Sequence, residues 1–134
     1  MSLELAVKIA AANTAYPRWP LGCVVTKGGA VQSVGWSIRK GDPALLDDHS
    51  NCSVHAEVHA LRQMRHQAEG CVMYVARTNR SGQPALAKPC GGCQRAIARA
   101  GVKKVVYTVD AHHHGVWRPG VHGRRARVVP SRAG

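Results

Sequence analysis

Phenylalanine is absent from this 134-residue chain, and aromatic residues of any kind make up only 4% of it. An aromatic-rich core is excluded, so Val, Ala, Leu and Ile must fill the interior, which suits a compact α/β domain. Acidic residues are scarce too: seven Asp and Glu stand against 19 Lys and Arg, a formal net charge of +12. That balance favours polyanionic partners, nucleotides or nucleic acid, but net charge by itself marks no site. No apolar run approaches the roughly 18 residues that a membrane-crossing helix needs. The opening MSLELAVKIAAAN places Glu4 and Lys8 inside an apolar pattern, the mark of an amphipathic core helix and not of an export signal. Cysteine occurs in odd number, at positions 23, 52, 71, 90 and 93, which argues against a disulfide framework and for reduced thiols in a cytoplasmic protein. The length predicts one domain.

From Leu3 to Asn13 apolar residues recur at helical spacing until Pro17 and Pro20 forbid continuation. Leu21 to Thr26 and Val31 to Ile38 have strand composition, and the KGG between them reads as a hairpin turn. KGDPALLDDHSN is a loop, after which Ser53 is placed to cap a helix that presents Val54, Val58 and Leu61 on one face and closes at Gly70. Cys71 to Arg77 is the third strand. A helix then starts at Gly91, turns Cys93, Ile97 and Ala100 inward and ends at Gly101, before a fourth strand in VKKVVYTV. This order implies a β-α-β crossover and a three-layer α/β architecture with helices on both faces of the sheet. Residues 1–110 form the core domain and 111–134 a His- and Arg-rich extension, with five arginines and no acidic residue, in which Arg125 to Val129 can add an edge strand. The Gly, Pro and His residues after Asp110 show no helical pattern, so no fourth helix is expected there.

The sharpest local feature is PCGGC, Pro89 to Cys93. Two thiols separated by two residues at a helix start share one face, a geometry that suits a metal ion, although an isolated pair also reads as a redox couple or as two buried thiols. The second feature is HAE, His55 to Glu57, at another predicted helix start. Together they supply one imidazole and two thiolates: His55, Cys90 and Cys93 make three ligands for Zn2+, with a fourth position open to water, the pattern of a catalytic site. Glu57, two residues past the imidazole, can then carry protons without binding the metal, because zinc lowers the pKa of its water to about 7.

H-x-E combined with P-C-x-x-C is the signature of the zinc nucleobase deaminases. From Leu3 to Val109 the chain resembles the cytidine/deoxycytidylate deaminase superfamily, through HAEVHALRQM, KPCGGCQRAIARAGVKKVVYT and a second strand containing GW. The resemblance implies a cytidine-deaminase-like fold with a central mixed sheet of about five strands. It implies a zinc-dependent hydrolytic deaminase of a pyrimidine nucleotide or nucleoside, of cytidine or dCMP type, that releases ammonia and assembles as a homo-oligomer. A His ligand is similar to the deoxycytidylate and tRNA-adenosine branches, and SVHAEVHALRQM especially to the tRNA-adenosine helix. Two positions depart from these patterns: GWS, with Ser37, replaces the GWN whose Asn touches the sugar, and His59 stands where HAExNA has Asn.

The same residues support other readings. With Cys52 as fourth ligand the zinc site would be closed and structural, in a basic nucleic-acid-binding module; Cys52→Ala separates the two, since only the structural site loses its metal. HAEVH lacks the Glu directly after the first His that a zinc protease requires. His112 to His114 with His122 could hold a second metal, but a solvated loop explains them more simply. For substrate contacts we expect Ser37 and the loop from Asp42 to Cys52, Trp19 ahead of Trp36 and Trp117 as a stacking surface, and Arg77, Arg80 and Lys88 near a phosphate. Trp is otherwise a core residue, and surface cations are otherwise only solvated. A deaminase acting on single-stranded DNA or RNA, or on tRNA, is the alternative that the positive charge motivates.

Overall fold

The computed structural model describes residues 2–39, 53–120 and 126–131. Helix α1 (Ser2–Ala12) leads into the hairpin β1 (Leu21–Lys27) and β2 (Ala30–Trp36), and a two-residue pair, β3 (Ile38–Arg39) with β4 (Ser53–Val54), follows. Then come α2 (Ala56–Gln63), β5 (Val72–Thr78), β6 (Pro84–Ala85), α3 (Gly91–Arg99), β7 (Lys104–Thr108), β8 (His113–Trp117) and β9 (Arg127–Pro130). The main sheet runs β2-β1-β5-β7-β8-β9, with β6 beside β5. Among the described residues only β5 and β7 pair in parallel, joined through α3 as the expected β-α-β crossover.

Alternation along the strands sorts the side chains into two cores. On one face Val24 and Ala76 meet Ala6 and Ala10 of α1. On the other, Cys23, Val25, Met73, Val75 and Val105 meet Leu61 of α2 and Cys93 and Ile97 of α3. Leu61 and Ile97 are fully buried, each worth about 1.5–3 kcal/mol relative to exposure. The architecture is therefore the three layers expected, with seven strands in the sheet among the described residues against about five expected.

Close approach of α2 to β2 depends on Gly35, where a Cβ would lie 2.5 Å from the Ala56 carbonyl oxygen and 2.6 Å from the Ala60 nitrogen. Side chains then fasten helix to strand: Ser33 Oγ donates to Ala60 O, the Trp36 N–H to His59 Nδ1, and Gln63 Nε2 to Val34 O. The last two occupy polar groups of an edge strand that would otherwise be open to pairing.

Three expectations are corrected. Ser53 does not cap α2; it pairs with Arg39 in β4, and His55 takes the N-cap position. Gly70 does not close α2, which ends near Met64, where Arg65 and His66 adopt positive φ. The run at His112 to His114 is not a solvated loop: His113 and His114 open β8, which pairs antiparallel with β7, and no helix intervenes. Strand β8 is held from both sides, because the Tyr107 ring lies where a side chain on Gly115 would stand and β9 pairs along its other edge. The expected edge strand at Arg125 to Val129 is β9, displaced by two residues at its start.

Candidate active site

Both functional segments begin helices on the α2/α3 side of the sheet. Position N-cap normally holds Ser, Thr, Asp or Asn, whose oxygen accepts a free amide hydrogen. Here it is His55 in α2 and Cys90 in α3, and neither side chain makes a capping bond. They turn to each other: His55 Nδ1 lies 3.1 Å from Cys93 Sγ and 3.6 Å from Cys90 Sγ. The ligand atoms of His55, Cys90 and Cys93 all fall within 4.8 Å of one another, a spacing that one tetrahedral ion can span. Among the described residues no other group of three His, Cys, Asp or Glu converges this way.

Glu57 completes the arrangement. It is 2% exposed, and its Oε1 is buried with no hydrogen-bond partner among the described residues. An orphaned buried carboxylate oxygen is costly unless a ligand or water meets it. Burial raises the Glu57 pKa to about 7, against the opposing pull of its own backbone N–H and of the Cys93 thiol. The Cys93 thiol is pushed far up, by burial first and then by Glu57, Cys90 and Cys23, and burial with Glu57 also pushes up Cys23. Several acidic groups crowd one place and oppose each other's ionisation, which is the environment that a bound dication reverses. The residues present therefore fit zinc.

A cleft of about 310 Å³ opens over His55, Glu57 and Cys90. Tyr16, Trp19, Leu21 and Ser37 wall one side, and Lys88 stands on the rim. Trp19 is 51% exposed and carries the Arg77 guanidinium over its ring at 4.1 Å. Arg77 also donates from Nε to Leu86 O at 2.9 Å, so it braces the segment before Pro89 against Trp19. Ser37 lies in the cleft wall, but its hydroxyl is engaged by protein groups.

Other candidates fall elsewhere. Trp36 packs edge-on against His59, and Trp117 packs against the main core. His59 bonds to β2 and is not part of the His55 cluster, in keeping with the absence of a zinc-protease motif. His113 pairs with Asp110 and His114 with Ser131. Arg80 is exposed and lines no part of the cleft. Cys52, His122 and the loop from Asp42 to Cys52 lie outside the described residues. Sequence reasoning passed over Asn13 and Tyr16; the Asn at the end of α1, followed by Thr, Ala, Tyr and Pro, was a turn signal that could have drawn attention to them.

With this geometry in hand, the relatives of the chain can be placed. Residues 1–109 match the family described as "Cytidine and deoxycytidylate deaminase zinc-binding region". The chain belongs to this family, a class of zinc-dependent hydrolytic deaminases. Over 97 residues, 72% of its length, it is 36% identical to the riboflavin biosynthesis protein RibD of Escherichia coli, of which it spans 22%. The dCMP deaminase of cyanophage S-TIM5 is 25% identical, with a TM-score of 0.56 over 79% of this chain and 78% of that one. Cytidine deaminase from Burkholderia pseudomallei shares the fold, with a TM-score of 0.57 over 97% and 93% of the two chains at 16% identity. Among the described residues no helix is long and apolar enough to cross a membrane.

Proposed function

We propose that this chain deaminates a pyrimidine nucleotide or nucleoside of cytidine or dCMP type, with His55, Cys90 and Cys93 as zinc ligands and Glu57 as the proton carrier. The observation that carries the reading is the orphaned, buried Glu57 Oε1 beside a converging His-Cys-Cys set. When bound, zinc would supply an acidified water. The chain's own residues do the rest. Glu57, in the first turn of α2, takes one proton from the attacking water and gives it to the ring nitrogen, then takes the second from the hydroxyl so formed on the ring carbon and gives it to the leaving amine. Ammonia leaves and a carbonyl remains. Burial favours the protonated carboxyl, and so its holding a proton between transfers. Trp19 and Tyr16 offer ring surfaces to the base, and Lys88 offers a cation at the rim. In this reading residues 1–110 are the catalytic core, and the basic segment 111–134 widens its sheet.

Two observations favour a second reading, deamination within nucleic acid: the net charge of +12, and an exposed Trp19 backed by Arg77 at the mouth of the cleft. A screen of bases, nucleosides, nucleotides and oligonucleotides, read by ammonia release and mass change, tests both. Turnover of cytidine or dCMP is expected. Activity confined to oligonucleotides, falling steeply with salt, would replace the first reading by the second. In the same assay Glu57→Gln keeps zinc and lowers kcat by about 10²–10⁴-fold, and full activity in that variant refutes the mechanism.

A further inference from the structure

The cleft wall formed by residues 13–20 belongs to neither helix nor strand, yet side chains hold it firmly. Asn13 Oδ1 accepts the N–H groups of Ala15 at 2.8 Å and Tyr16 at 3.2 Å. Its Nδ2 shares two hydrogens among Leu21 O at 3.2 Å and Ser37 O and Ser37 Oγ at 3.0 Å each. Ser37 Oγ also accepts the Leu21 N–H at 3.0 Å and donates to Trp19 O at 2.9 Å. A serine hydroxyl has one hydrogen and two lone pairs, and here protein groups take all three. Ser37, 2% exposed, lines the cleft with no hydrogen-bonding capacity left for a substrate. What this wall does present is the half-buried Tyr16 and the exposed Trp19, whose backbone groups are among those the clasp holds.

We propose that Asn13 and Ser37 are positioning residues: their clasp fixes the segment between α1 and β1 so that Tyr16 and Trp19 form the substrate-discriminating wall of the cleft. The contact that Ser37 was expected to make is thereby transferred to side chains held in place by Ser37. Selection on this side rests on ring surface and on the Tyr16 hydroxyl. The inference rests on the reading of this cleft as the deaminase site.

Two measurements on the zinc-loaded full chain test it. In amide hydrogen exchange, Asn13→Ala speeds exchange at Ala15 and Tyr16 by about tenfold or more, the loss of roughly one hydrogen bond's protection, and leaves α2 and α3 unchanged. In kinetics on the substrate found by the screen, Asn13→Ala and Ser37→Ala each raise KM by about tenfold with kcat within about threefold. In a background that carries both Tyr16→Ala and Trp19→Ala the same substitutions add little, because they act through those two rings. Asn13→Asp keeps the acceptor for Ala15 and Tyr16, removes the donations to Leu21 and Ser37, and gives a smaller KM rise. Additive effects in the background lacking both rings, or faster exchange with KM unchanged, overturn the proposal. So does loss of zinc or of the fold in both Asn13 variants, since the segment would then be holding the domain together. If the wild-type chain deaminates no nucleobase, or Glu57→Gln stays fully active, the functional reading fails, and the exchange data still report on the clasp.

Discussion

The floor and the mouth of the cleft are built by opposite means. At the floor, His55, Glu57, Cys90 and Cys93 all sit at or within the first turn of two helices, so regular structure fixes their backbones. At the mouth, Tyr16, Trp19 and Lys88 lie on irregular segments, oriented by side-chain bonds from Asn13 and Ser37 and by the Arg77 brace. A floor on helix starts repeats its geometry wherever the motif occurs, because a short stretch of sequence specifies it. A mouth on loops can change with single substitutions elsewhere, which fits a chain similar to proteins with different names and a common fold.

The contrast is broken most severely at the floor. Cys93→Ala removes a fully buried thiol of the proposed ligand set and should take zinc from about one per chain to near none, abolish ammonia release and lower the Tm, since a metal that binds only the folded chain stabilises it. Metal analysis beside a thermal melt checks this; full zinc occupancy in the variant would remove Cys93 from the ligand set. Next comes Gly35→Ala. The added Cβ meets the Ala56 carbonyl and must push α2 off β2, costing about 1–3 kcal/mol of stability and lowering kcat by moving Glu57, while KM changes less. A stable, fully active Gly35→Ala would mean that the floor tolerates a shift of its helix.

The smallest effect is expected at the mouth. Arg77→Gln removes the cation over Trp19 and the bond to Leu86, a loss of about 0.5–1 kcal/mol from the stacking at an exposed site, and KM should rise about two- to fivefold. Comparing nucleoside with nucleotide sharpens the result. An equal rise for both identifies Arg77 as a brace for the wall, and a rise for the nucleotide alone identifies it as a phosphate contact.

How far the sequence could be read follows the same division. The hairpin, the helix starts and the donor set were visible because periodicity, turn residues and ligand spacing are local properties of the chain. Ser37 stands out in the sequence by its place in the GWS motif, whereas its partners, Asn13, Trp19 and Leu21, are recognised only in the fold. Ser53 was read as a cap because it is the better capping residue, whereas the structure gives the position to His55, whose ring is needed elsewhere. Strand β8 was hidden by a His-rich, Gly-containing segment whose partners, Tyr107 and β9, are recognised only across the sheet.

The sequence by itself determined the chemistry on offer: an imidazole, two thiols and a carboxylate at helix starts, in the order of a three-layer α/β domain. Only the tertiary structure brought His55 to Cys93 across 38 positions, left Glu57 Oε1 buried without a partner and raised its pKa to about 7. It also engaged the Ser37 hydroxyl with Asn13, Leu21 and Trp19 and set Tyr16 and Trp19 beside it in the wall of the cleft. The reason is physical. Residue type and short-range spacing are written along the chain, whereas burial, desolvation and the satisfaction of polar groups depend on what distant segments bring to the same point.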